Sequence, residues 1–146
     1  MSREIKFRAW DYANKRMRLF DSAKEGILFS GSDVYFSTGW SSLDDPTFDE
    51  DNQTKFELME YTDLKDKNGK DIYEGDIVQY GNSNKEKLFE VRFFKEWGVW
   101  GLNDNGRPFG RSGSSTKYEP YFMTTFHRNK IQVIGNIYEN KDLINE

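Results

Sequence analysis

Two turn signals stand close together between Tyr61 and Val78. The first is Asn68-Gly69. The second, Glu74-Gly75-Asp76, opens directly into the strand-like run Ile77-Val78-Gln79-Tyr80. Asn and Gly tolerate the left-handed backbone that tight turns require. A two-residue turn at Asn68-Gly69 would set Lys67 against Lys70 and Asp66 against Asp71, and like charges directly opposite are unfavourable. A type I turn over Lys67-Asn68, with Gly69 left-handed in a bulge, pairs Asp66 with Lys70 instead. The segment therefore predicts a hairpin joining residues 62–66 to residues 70–73, with a further strand starting at once after it.

The rest of the chain is punctuated in the same way. Ile5-Lys6-Phe7-Arg8-Ala9-Trp10 alternates apolar and basic residues, breaks at Asp11-Tyr12-Ala13-Asn14, and resumes as Arg16-Met17-Arg18-Leu19. Alternation around a polar turn predicts a β-hairpin with Ile5, Phe7, Ala9, Met17 and Leu19 inward and Arg8, Arg16 and Arg18 on the opposite face. Residues 26–29, 34–37, 56–61, 88–94, 97–102 and 131–138 are further strand candidates. Residues 38–54 and 103–116, rich in Ser, Thr, Asp, Asn and Gly, predict two long loops. Residues 118–126 are ambiguous: Tyr118, Tyr121, Phe122 and Phe126 are spaced for one helical face, but Pro120 would have to sit in its first turn. Asn140 is placed to cap a last helical turn through Asp142, Leu143 and Ile144.

At 146 residues the chain fits one domain and can bury roughly 70% of its unfolded surface. Twelve Phe, eight Tyr and four Trp supply much of the apolar material, and aromatic residues suit pleated, half-buried surfaces. The fold class expected is mainly β. Short antiparallel strands build a small SH3-like barrel or curled sheet in the C-terminal part, with an N-terminal β-hairpin arm and few short helical turns. Residues 1–62 form a loop-rich first region and residues 63–146 the barrel-like second, read together as one compact unit. With no cysteine, disulfides and thiolate metal sites are excluded. The first residues carry no apolar signal region, and no apolar run reaches the ~18 residues of a membrane helix. A cytoplasmic protein is expected.

Three blocks resemble the YopX family: Ile5 to Asp11, Tyr61 to Val78, and Val133-Ile134-Gly135-Asn136-Ile137-Tyr138-Glu139-Asn140. They stand in the expected order along the chain. The family is found in phages and prophages and is of unknown function. The resemblance therefore implies a phage-derived intracellular protein and supplies no catalytic residues. Residues 21–55 and 103–126 fall outside these blocks, where function is often carried by loops.

Known chemistries fit poorly. An EF-hand register that puts Gly69 at the sixth loop position leaves Leu64 at the first ligand and Gly75 at the twelfth, so the two strongest ligands are missing. His127 is the single histidine, which leaves a zinc site or a Ser-His-Asp triad without identifiable partners. The run from Gly110 to Ser115 is Gly/Ser-rich but lacks the phosphate-loop lysine pattern. No catalytic pair, metal or cofactor is implied, and a non-enzymatic protein is expected.

Charge and aromatic placement suggest binding instead. Arg3, Lys6, Arg8, Lys15, Arg16 and Arg18 make the first twenty residues basic, and Asp44, Asp45, Asp49, Glu50, Asp51, Glu57 and Glu60 make residues 44–60 acidic. Opposite blocks suit association with a protein partner or with a second copy, as a homo-oligomer. The leading expectation is a protein-interaction or assembly module. The alternative is single-stranded nucleic-acid binding on a small barrel, with bases stacked on aromatics beside basic residues. Arg8, Trp10, Arg16, Arg18, Arg92, Lys95, Trp97 and Trp100 are the candidate surface for either partner.

Overall fold

The structure, a computed structural model, describes residues 2–20, 25–30, 33–38, 56–81, 87–96, 98–104, 107–108, 110–111, 119–120 and 129–144. Two compact units are distinguished, one of residues Lys6–Glu60 and one of Met1–Ile5 with Tyr61–Glu146.

In the first unit the opening alternation forms its hairpin, β1 (Phe7–Asp11) with β2 (Arg16–Leu19). Asp11 holds the turn. Its Oδ1 accepts the Asn14 backbone N–H at 3.0 Å and its Oδ2 accepts the Asn14 side-chain amide at 2.8 Å. This is Asx-turn chemistry, and Lys15 closes the loop in the left-handed region at φ +50°. The hairpin is built into a larger sheet with β3 (Glu25–Ser30), β4 (Asp33–Thr38) and the first half of β5 (Phe56–Lys65), in the order β2-β1-β5-β4-β3.

The register changes which residues share a face. Arg8 lies opposite Leu19, Ala9 opposite Arg18, Trp10 opposite Met17 and Asp11 opposite Arg16. Cross-strand partners point the same way, so Arg8, Trp10, Met17 and Leu19 share one face, joined by Glu57 and Met59 of β5. Ala9, Asp11, Arg16 and Arg18 occupy the other. The expected face of Arg8, Arg16 and Arg18 is thus divided. Met17 and Leu19 stand opposite Ala9 rather than beside it, and Leu19 and Ile5 are exposed. The cause is the turn: residues 12–15 connect the strands, and a one-residue difference in register reverses every side chain.

The second half of β5 belongs to the other unit, where it pairs with β6 (Asp71–Tyr73). The hairpin tip has the predicted form. The Asp66 N–H donates to Lys70 O at 2.8 Å, the Gly69 N–H donates to Asp66 O at 3.0 Å, and Gly69 sits at φ +80°. Next, Gly75 at φ +77° donates its N–H to Val91 O at 2.9 Å, and the Tyr73 N–H donates to Asp76 Oδ2 at 2.8 Å. The strands that follow are β7 (Asp76–Tyr80), β8 (Lys87–Phe94), β9 (Val99–Asp104), β10 (Arg107–Pro108), β11 (Gly110–Arg111), β12 (Glu119–Pro120) and β13 (Ile131–Asn136). They form a curled antiparallel half-barrel in the order β10-β9-β8-β7-β13, and β11 pairs separately with β12. The expected loop at 103–116 is therefore shorter, because Asn103 and Asp104 extend β9 and pair with β10. In the ambiguous segment 118–126, Glu119–Pro120 is strand. Residues 39–55, Trp97, Tyr118, residues 121–128 and His127 among them lie outside the described residues.

The concave face carries Val78, Phe89, Val91, Leu102, Ile131 and Val133, and Ile72 of β6 completes this buried cluster. Each such side chain contributes about 1.5–3 kcal/mol by leaving water. Asp66 fastens the hairpin tip to β13. Its carboxylate accepts N–H groups of Asn68 at 2.8 Å, Lys70 at 2.9 Å and Val133 at 2.9 Å, while the Lys67 N–H donates to Ile131 O at 3.0 Å. After β13, Asn136 Oδ1 accepts the N–H groups of Tyr138 and Glu139, both at 3.0 Å. Asn140 precedes a 3-10 turn at Lys141–Leu143 but does not cap it with its side chain. Its Oδ1 accepts the Asn136 N–H at 3.2 Å instead, and lies where a Cβ on Gly135 would stand, 2.3 Å away.

Candidate functional site

Within each unit, the described strand residues singled out from sequence divide between the two faces of their sheet. In the first unit Arg8 and Trp10 are buried, at 7% and 8% exposure. Arg16 is exposed but lies 3.7 Å from Asp11 Oδ2, and Arg18 stands 5.9 Å from the centre of the Phe56 ring. Burial on its own pushes the Asp11 carboxyl upward. The hydrogen bonds from Asn14 and Ala13, with Arg16 beside it, nevertheless bring it below the usual carboxylate value. Asp11 is thus the centre of a local network at this end of the hairpin.

In the second unit Arg92 points away from Phe93 on alternating β8, and its guanidinium donates to Glu90 Oε2 at 2.9 Å. Lys95 is exposed in the turn after β8, and Trp97 lies outside the described residues. Trp100 does reach a site. It packs its half-buried side chain against the concave core, opposite Phe93 in the β8–β9 register. The two rings meet edge-on, with centroids 5.1 Å apart and planes at 66°. Such aromatic pairs add about 0.5–1.5 kcal/mol beyond burial.

Phe93 and Trp100 wall an open groove of about 370 Å³, lined also by Arg3, Thr62, Asp63, Leu64, Gly98 and Val99. Local sequence explains each wall. Phe89, Val91 and Phe93 alternate onto the concave face of β8, but the cover on that face ends at Val91, and Phe93 remains 44% exposed while Phe94 on the other face is buried. Gly98, at φ +66°, lets the chain reverse from β8 into β9, and its N–H donates to Phe94 O at 2.9 Å. The Thr62 hydroxyl is committed, donating to Ile72 O at 2.7 Å and accepting the Leu64 N–H at 3.3 Å. Between them Asp63 bulges out at φ +65°, inside an irregular stretch of the β5–β6 register. A bulge of this kind re-aims a side chain, and the exposed residue Asp63 lines the groove. Phe93, Asp63 and Leu64 were not singled out from sequence. For Phe93 the signal was the apolar alternation Phe89, Val91, Phe93 running towards the end of β8.

These features define a mainly β protein with a curled antiparallel half-barrel and an aromatic groove at one end of its concave face. The chain belongs to the YopX family, whose model, YopX protein, matches residues 6–145. Protein yopX from Bacillus subtilis is similar in structure, with a TM-score of 0.55 and 21% identity over 95% of this chain and 97% of that one, which shows a common fold. Protein EF1440 from Enterococcus faecalis is 26% identical over 97% of this chain and 99% of its own, with a TM-score of 0.47. No curated protein matches.

Proposed function

We propose that this chain is a non-enzymatic, phage-derived recognition module that binds another protein in the host cytoplasm through the groove beside Phe93 and Trp100. The phage setting rests on the family resemblance. The binding role rests on one observation: Phe93, at the end of an otherwise buried alternation, keeps 44% of its surface exposed while held edge-on by Trp100. A large aromatic held rigid and open to solvent is a typical anchor of protein interfaces. A groove of about 370 Å³ matches the lower range of ligand sites, room for one or two side chains.

The same geometry favours protein over nucleic acid. Single-strand binders set cations beside their stacking rings. Here Arg92 turns to the other face of β8 and is engaged by Glu90, and the cation that does line the groove, Arg3, is matched there by the acidic Asp63, so the described lining carries no net positive charge. Titrating the protein with unstructured peptides and with a thymidine oligonucleotide, followed through the Trp100 indole signal, tests the reading. Peptides should move the signal and the oligonucleotide should not. A salt-dependent response to the oligonucleotide alone would overturn it.

A further inference from the structure

We infer that β13 is a latent self-association edge, held shut by the side chains of Asp66 and Asn140, and that β13 of a second copy pairs with it once the Asp66 clasp is removed. The inference does not depend on the groove beside Phe93.

A comparison of sheet edges carries it. The two larger sheets end on β2 and β3 and on β10 and β13. A terminal strand offers its backbone groups to any other strand, and charges or proline on it are the usual protection. β2 carries Arg16 and Arg18, β3 carries Glu25, and β10 is Arg107–Pro108. β13, Ile131-Gln132-Val133-Ile134-Gly135-Asn136, has neither protection. Among the described strands it alone lacks a charged residue. Apolar β sequence with no charge and no proline is the composition that stacks on copies of itself. This is why the occupant is a second β13: an uncharged strand meets no like charge in its own copy.

What covers β13 is its own chain. Backbone groups near both ends of the strand bond outside the β7 ladder. The Ile131 carbonyl accepts the Lys67 N–H at 3.0 Å, and the Val133 N–H donates to Asp66 Oδ2 at 2.9 Å. An added strand would use this carbonyl and this N–H, two residues apart on one edge. Asp66 is itself fixed there, because its carboxylate also accepts the Asn68 and Lys70 N–H groups. The far end lies past the irregularity between Val133 and Gly135. There the Asn136 N–H donates to Asn140 Oδ1 at 3.2 Å, and the Asn136 carbonyl accepts the Asn140 N–H at 2.9 Å. At each end a side-chain oxygen stands where a neighbouring strand would place a carbonyl.

Light scattering on the full chain in native buffer, at rising concentration, tests this. Asp66→Ala should raise the mass above the parent's by at least one further copy, more so as concentration rises. Adding Gln132→Lys to that chain should return the mass to the parent's value, because it sets a charge between Ile131 and Val133 in the pairing strand. Trp10→Ala, which weakens the other unit by as much or more, should keep the parent's mass. Asn140→Ala opens the far clasp and should raise the mass as well, which keeps the test available where Asp66→Ala fails to fold. The parent's mass in both clasp variants would overturn the inference, even if a foreign extended peptide bound the opened edge. So would association that Gln132→Lys leaves unchanged, since the contact would then lie elsewhere. So would equal association of Trp10→Ala, since loss of stability would then suffice.

Discussion

The β1–β2 and β8–β9 hairpins use similar residues, apolar or aromatic side chains alternating with arginine, yet they present them differently. β1 is flanked on both sides, by β2 and by β5, and Arg8, Ala9, Trp10 and Asp11 are all buried whichever face they occupy. In β8 burial follows the concave-face alternation to Val91 and then passes to Phe94 on the other face, so Phe93 emerges although it points the same way as Val91. Alternation therefore sets direction only. Exposure depends on where the core ends, which is a property of the assembled sheet.

The strongest way to break this comparison is truncation at its two ends. Trp10→Ala should cost about 3–5 kcal/mol, the range for removing a large buried aromatic, whereas Phe93→Ala, which loses partial burial and the Trp100 contact, should cost about 1–2 kcal/mol. Urea denaturation measures both, and equal losses would refute the contrast. Next in size, Asp66→Ala removes the acceptor of the Asn68, Lys70 and Val133 N–H groups and should cost about 3 kcal/mol. Asp66→Asn keeps one acceptor oxygen and should cost about half as much. Gly135→Ala sets a methyl against Asn140 and should cost about 1–3 kcal/mol, seen as a lower Tm.

The smallest effect concerns acid. Because the folded-state Asp11 carboxyl is held below its usual value, its ionised form favours the fold. That contribution is complete above about pH 4 and is lost as pH falls through the lower folded value. Thermal melts of Asp11→Asn against the parent chain should converge at the acid end of the profile and separate above it. A constant difference at every pH would contradict the assignment.

These contrasts also mark what is legible in the sequence. The turn over Lys67-Asn68 was legible because like-charge opposition at Lys67/Lys70 and Asp66/Asp71 excluded the other register locally. The faces of β1 and β2 were not. Their parity depends on the length of the turn, and Asp11 holds residues 12–15 as the loop through bonds to Asn14. The family blocks were legible as signatures but not as reasons. Asp66 reaches Val133, far away in sequence, and Gly135 is required by the Asn140 side chain five residues on. The placement of the candidate residues on strand faces is non-local in the same way. Arg92 and Phe93 are neighbours in sequence, yet they lie on opposite faces of one strand. Phe93 was passed over because nothing local says where the concave core stops.

The absence of cysteine makes the central claim directly measurable. Single thiols placed by Phe93→Cys and by Met59→Cys, the latter beside Arg8 on the covered face of β1, report exposure by their reaction rate with a thiol reagent in native buffer. The account predicts that the thiol at position 93 reacts nearly as fast as in the unfolded chain, and that the thiol at position 59 reacts only through opening of the fold. Rapid reaction at position 59, or protection at position 93, would contradict it.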